Sequence, residues 1–167
     1  FTSTTNNGSY NSADTVNITA TASEAVVAGN TITATLDTGD TVLLTAAANG
    51  TTLVGTYTVG AGDNSNDLTV SSFSIGTVTD IAGNAMASTT VPGTNIASGS
   101  AIVIDTTVPT ITSFTSTTNN GSYNSADTVN ITATASEAVV AGNTITATLD
   151  TTDAVLLTAA ANGTTLV

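Results

Sequence analysis

Val16-Asn17-Ile18-Thr19-Ala20-Thr21-Ala22 places Val, Ile and two Ala on one side of an extended chain, and Asn and two Thr on the other. An alternation of period two marks a strand with one buried face. The same seven residues return as Val129–Ala135. Working outward from them, residues 1–54 and 114–167 are the same text at an offset of 113, differing only at Gly39/Thr152 and Thr41/Ala154. A period of that length is too long for one turn of a solenoid and right for a whole domain. Further alternating segments lie at Thr31–Leu36, Val42–Thr45, Leu53–Val59, Leu68–Ile75, Ala101–Ile104 and Ile111–Phe114. Turn signals separate them at Asn7-Gly8, Gly29-Asn30, Thr38-Gly39-Asp40, Asn49-Gly50, Gly60–Asp63 and Gly83-Asn84. No segment carries a helical period. About seven short strands in each repeat predict an all-β fold, a two-sheet β-sandwich with a light core of Val, Ile, Leu and Ala around Tyr57 and Phe73.

Composition agrees. Thr accounts for 40 of 167 residues, only 2 residues are Pro, and the mean hydropathy is +0.30. Disordered chains are poor in β-branched residues; this one is rich in them. The net charge is −12, with no Lys, Arg, His or Cys. Nothing can neutralise phosphates, so nucleic acid and anionic membrane surfaces are excluded as partners. Nucleophile–base pairs that need His, Cys or Lys cannot be built, nor can disulfides, zinc–thiolate sites or lysine isopeptide links. No apolar run is long enough to span a bilayer, so no membrane insertion is expected. The chain opens without a basic leader and reads as an interior piece of a longer secreted protein.

The expected domain limits are 1–104, a repeat lacking its first strand, and 105–167, the first half of the next. The first repeat's missing strand is the counterpart of Val108–Ser113. The second is expected either to be unfolded alone or to borrow strands from a neighbour.

The linker Ile104-Asp105-Thr106-Thr107-Val108-Pro109-Thr110 resembles the Asp-x-x-x-Pro domain starts of bacterial Ig-like repeats. Asn120-Gly121-Ser122-Tyr123, Ser136-Glu137-Ala138-Val139, Tyr57-Thr58-Val59 with Gly62-Asp63, and the Asp80-Ile81-Ala82-Gly83-Asn84 loop are similar to that family in order and spacing. The resemblance covers the whole repeat. It implies an Ig-like Greek-key sandwich and an extracellular, often calcium-dependent stalk of a large bacterial surface protein, such as an adhesin or biofilm protein. It does not identify what the end of the stalk binds.

Because no carboxylate has a cationic partner, each must face water, cap backbone N–H groups or bind a metal, and hard oxygen ligands select Ca²⁺ or Mg²⁺. In an Ig-like order Glu24, Asp80 and Asn84 group at the top of the first domain. Asp14, Asp37, Asp40, Asp63 and Asp67 group at its bottom. Asp105 leaves the last strand and enters the next domain beside Glu137. Glu24, Asp80, Asn84, Asp105 and Glu137 are therefore the candidate Ca²⁺ ligands, and an ion near Asp105 would clamp one domain to the next. Asp14, Asp37 and Asp40 read as solvated turn formers. Asp63-Asn64-Ser65-Asn66-Asp67 lacks the glycine and distal Glu of an EF-hand loop. Pro109 makes the linker extended and semi-rigid.

No catalytic residue is expected. A spacer whose partners are neighbouring repeats is the first functional reading. A filament, sheath or surface-layer subunit assembled by strand exchange is the second, since Thr-rich edges without Lys are poorly protected against pairing. A two-carboxylate glycosidase is disfavoured by the duplication and by the absence of Trp for sugar stacking. The Thr-x-Thr triplets at 19–21, 33–35 and 56–58 match those of some ice-binding proteins, but β-propensity explains them. The sequons at Asn7, Asn17 and Asn49 are read as accidental.

Overall fold

A computed structural model describes residues 1–167. The protein is all-β, with no α-helix, and divides into two units, Phe1–Thr107 and Val108–Val167. The first unit contains β1 (Gly8–Tyr10), β2 (Thr15–Val26), β3 (Thr31–Leu36), β4 (Thr41–Thr45), β5 (Gly50–Thr58), β6 (Asn64–Ser65), β7 (Val70–Ile75) and β8 (Ile102–Asp105). A five-stranded sheet runs β2-β5-β4-β3-β7, and a three-stranded sheet runs β1-β8-β6. The larger sheet curls into a half-barrel.

The alternating positions decide which face turns inward. Val16, Ile18, Leu53 and Tyr57 of the larger sheet join Ile102 and Ile104 of the smaller one in a single core. The layering is sandwich-like. Asn95 ties the loop before β8 to β7: its amide nitrogen donates to Val70 O (2.8 Å) and its oxygen accepts from Val70 N (3.0 Å). It also caps a single 3₁₀ turn, Ile96–Ser98, which buries Ile96.

Three local features differ from the alternation reading. Gly8–Tyr10 was expected to open with a turn but pairs in parallel with β8. Asn64–Ser65 forms a short strand on the other side of β8. β2 continues beyond Ala22 to Val26, with an irregularity in its ladder to β5 between Thr21 and Val26. All three depend on partners distant in sequence, which a period-two pattern does not identify.

The second unit contains β9 (Ile111–Thr115), β10 (Thr132–Val139), β11 (Thr144–Thr148), β12 (Ala154–Thr158) and β13 (Gly163–Leu166). Its pairings reproduce those of the first unit. Ala133 faces Leu166 as Ala20 faces Leu53, and Thr144 faces Thr158 as Thr31 faces Thr45. Its core is much smaller, with Ala133, Ala135, Leu157, Ala159 and Leu166 buried. Gly121–Tyr123 repeats Gly8–Tyr10 but forms no strand, because the sequence holds no second copy of β8 to pair with it.

Candidate functional site

A groove of about 370 Å³ lies beside the upper part of β2 in the first unit. Its floor is apolar, with Ala22, Val26, Phe73 and Val78. Glu24, Asp80 and Asn84 stand on its walls, so three of the five candidate ligands meet at one site. Asp80 and Asn84 are placed there by a tight hairpin. Thr79 pairs with Ala85, and Met86 N donates to Val78 O (2.9 Å). Gly83 supplies the left-handed residue of the turn, at φ 93°. The hairpin is fixed to β2 by the Val26–Asp80 bridge and to Asn30 by Thr79 N, which donates to Asn30 Oδ1 (2.7 Å).

The Asp-x-Ala-Gly-Asn pattern closes on itself. Asn84 N donates to Asp80 Oδ1 (2.7 Å), and Asn84 Nδ2 donates to Asp80 Oδ2 (2.7 Å). These bonds, the side-chain amide first, hold the Asp80 carboxyl below its ordinary range. Both Asp80 oxygens therefore already accept a hydrogen bond. Two carboxylates and one amide also fall short of the roughly six to eight oxygens that Ca²⁺ collects. No three acidic, His or Cys side chains converge anywhere in the chain. An ion at this rim would draw the rest of its shell from backbone carbonyls and water.

The other two candidate ligands belong to separate units. Asp105 ends β8, and its Oδ1 accepts from Thr107 N (3.0 Å). Glu137 lies in β10, with its Oε1 buried and lacking a hydrogen-bond partner.

At the opposite end of the first unit, where strand order groups Asp14, Asp37, Asp40, Asp63 and Asp67 without a shared role, two of these acids meet at one tyrosine. Asp63 Oδ2 accepts from the Tyr57 hydroxyl (2.5 Å) and from Gly60 N (2.6 Å). The Asp40 carboxyl reaches the same corner. Sharing a proton with the neighbouring Asp63 carboxyl raises the Asp40 pKa, with burial and the Asp63 charge adding to it. Tyr57 lowers that of Asp63. Burial, then the bond to Asp63, raises the Tyr57 phenol. Six residues separate Tyr57 from Asp63, a spacing that signals a strand end and a turn but not the arrival of Asp40. Asp37 likewise accepts from Ser65 Oγ (2.6 Å) and Thr69 N (3.1 Å), and Asp14 from Asn11 N (2.9 Å). Six of the twelve acids, Asp105 and Asp127 among them, thus satisfy backbone N–H groups, as N-caps and Asx turns do.

The outward Thr rows do not make a uniform surface. Leu43 and Val54 interrupt them at 58% and 48% exposure, and the sheet carrying them is curled. No helix is long and apolar enough to cross a membrane. Comparison with protein-family models, curated proteins and solved structures finds no match.

Proposed function

We propose that the chain is a non-catalytic spacer module of an extracellular bacterial surface protein, built from Ig-like Greek-key repeats and stiffened by Ca²⁺ at its loop carboxylates. The observation that carries this reading is the duplication. Two stretches agreeing at all but two of 54 aligned positions adopt the same strand pairs in the same register. Repeated near-identical units add length rather than new chemistry. The absence of every cationic side chain supports a surface that binds neither phosphate nor anionic lipid. The motifs that resemble bacterial Ig-like repeats point the same way. Neighbouring repeats are the partners of such a module.

The calcium part rests on Glu24, Asp80 and Asn84 at the groove of the first unit, with Asp105 at the end of β8 and Glu137 in β10 as further candidate ligands. With so few donors, an ion there is held weakly, in the range of about 10⁻⁴–10⁻³ M typical of extracellular modules. The test is a thermal melt in millimolar Ca²⁺ and in excess EDTA, together with small-angle scattering. A rise of several degrees in Ca²⁺, from roughly 2.7 kcal/mol per site at a hundredfold excess over Kd, supports the ion. Identical melts remove it. An elongated scattering profile supports the spacer, and a compact one refutes it.

A further inference from the structure

We propose that the fold presents Asn49 and its duplicate Asn162 as acceptor sites for an N-linked sugar. Asn-x-Ser/Thr occurs at Asn7, Asn17 and Asn49, with copies at Asn120, Asn130 and Asn162. The motif alone does not choose among them. An acceptor needs an exposed amide with a free nitrogen, and an accessible hydroxyl two residues further on. The hydrogen bonds and ladder registers of the two units separate the candidates.

Asn17 and Asn130 are closed. Asn17 lies within β2, opposite Thr56 of β5. Its Oδ1 accepts from Ser3 Oγ (2.9 Å) and Thr4 N (2.8 Å), and its Nδ2 donates to Thr4 Oγ1. Asn130 repeats the arrangement: its Oδ1 accepts from Ser116 Oγ (2.9 Å) and Thr117 N (3.0 Å), and its Nδ2 donates to Thr117 Oγ1 (2.6 Å). Both ends of each amide are in use, so its nitrogen cannot turn toward a sugar without releasing the loop it holds. Asn7 is exposed, but its Oδ1 accepts from Ala101 N (3.0 Å) and Gly8 N donates to Ala101 O (3.0 Å). Ser9 stands opposite Val103 in the parallel β1–β8 ladder. That pairing holds all three residues of the motif.

Asn49 is open. It is exposed on the turn between β4 and β5. Its Oδ1 accepts from Ala28 N (2.8 Å), which orients the amide, and its Nδ2 donates to no other residue. Thr51 falls between the Val26–Gly50 and Thr21–Thr52 pairs, where the ladder is irregular, so it has no register partner, and it is exposed. Every point recurs in the second copy. Ala141 N donates to Asn162 Oδ1 (2.8 Å), and Thr164 falls between the Val139–Gly163 and Thr134–Thr165 pairs. Asn162 and Thr164 are both exposed. Neither Asn49 nor Thr51 borders the groove that holds the candidate calcium ligands.

The donor is a sugar activated through a phosphate on its anomeric carbon. The bond from Asn49 Nδ2 to that carbon forms, and the bond from the carbon to the phosphate oxygen breaks. The phosphate leaves with the electron pair, and one amide proton passes to a base of the transferase. The chain supplies only the acceptor. One sugar at the same turn of each copy, 113 residues apart, adds hydrated bulk and leaves the net charge at −12. The assignment holds whether or not the chain is a spacer.

The test is transfer of glucose from UDP-glucose by a sequon-specific N-glycosyltransferase, read by mass spectrometry. The substrate is the 167-residue chain carrying Asn120→Gln, because Asn120 has no β8 to pair with. Cleavage after Asp and Glu then places each remaining motif on its own peptide. The same peptides, cut before the reaction, give the rates free of the fold. On the folded chain Asn49 and Asn162 should gain a hexose at least about tenfold faster than Asn7, Asn17 and Asn130, the factor expected for opening one or two further hydrogen bonds. On the peptides that difference should vanish. Thr51→Val should abolish the gain at Asn49 and leave Asn162 unaffected. A folded chain left unmodified at Asn49 and Asn162 overturns the proposal. So does a folded chain modified equally fast at Asn17 and Asn130, or a Thr51→Val chain still modified at Asn49. None of these readouts depends on Ca²⁺, so they stand apart from the spacer test.

Discussion

Gly39 and Thr152 occupy the same turn in the two copies, and exchanging them measures how much that turn relies on glycine. Both close a loop in the same way. Leu36 N donates to Asp40 O (2.8 Å) and Gly39 N to Leu36 O (3.1 Å); Leu149 N donates to Asp153 O (2.9 Å) and Thr152 N to Leu149 O (3.0 Å). Both sit at positive φ, 96° for Gly39 and 73° for Thr152. A Cβ at Gly39 meets nothing within 4 Å, so Gly39→Thr adds no clash with neighbouring atoms. Its cost is the left-handed backbone itself, about 1–2 kcal/mol for a side-chain-bearing residue. Loss of unfolded-state freedom returns about 0.4–1 kcal/mol. The net expectation is about 1 kcal/mol of destabilisation, or a fall of roughly 4–8 °C in Tm for a domain of this size. Near-UV circular dichroism follows the right unit, because Tyr57 is buried in the first while Tyr123 is 46% exposed in the second. Thr152→Gly should leave that transition unmoved and stabilise the second unit by a similar amount. An unchanged first-unit Tm in Gly39→Thr would refute the left-handed turn as the source of strain.

Two further predictions use the same internal controls. Val16 is fully buried and its duplicate Val129 is 50% exposed, so Val16→Ala should cost about 2 kcal/mol and Val129→Ala less than about 0.5 kcal/mol, read by urea melts. Asp40→Asn should raise stability at neutral pH by no more than about 1 kcal/mol, the ceiling for a solvent-exposed charge pair. Because the folded pKa of Asp40 is raised, its contribution is complete below its ordinary 3.8 and is lost as pH rises through the folded value. That of Asp63, whose pKa is lowered, runs the other way: it is present above its ordinary 3.8 and lost as pH falls. The variant should therefore abolish the decline on the alkaline side and keep the acid-side loss. A Tm–pH profile superimposable on wild type would show that the two carboxyls do not share the corner.

Much of the fold was legible. Alternation located β2, β3, β4, β5, β7, β8 and β9, and the Gly- and Asn-containing turns fell between them, because period and turn chemistry are local properties. The groove residues Glu24, Asp80 and Asn84 could be grouped from strand order alone, since each follows or precedes a strand of known direction. Their chemistry could not. Nothing in the spacing of Asp80 and Asn84 says that the amide takes both carboxylate oxygens. Strand order put Asp40 and Asp63 at the same end of the domain, but it did not show that Asp63 takes the Tyr57 hydroxyl beside Asp40, because that contact depends on how the sheet end packs.

The two copies separate local from tertiary causes with the sequence held nearly constant. What the residues alone determined is common to both: the β3–β4 and β11–β12 hairpins, the β2–β5 and β10–β13 ladders, their register, and the positive φ of Ala13 and Ala126. What the tertiary structure decided differs between them. Val16 is buried and Val129 is not; Gly8–Tyr10 is a strand and Gly121–Tyr123 is not; Phe1 packs on Phe73 while Phe114 stands in solvent. In each case the residue is the same and the opposing layer is not. An alternating strand offers an apolar face, but burial requires a second surface to cover it, and that surface comes from residues 60–105, which occur once.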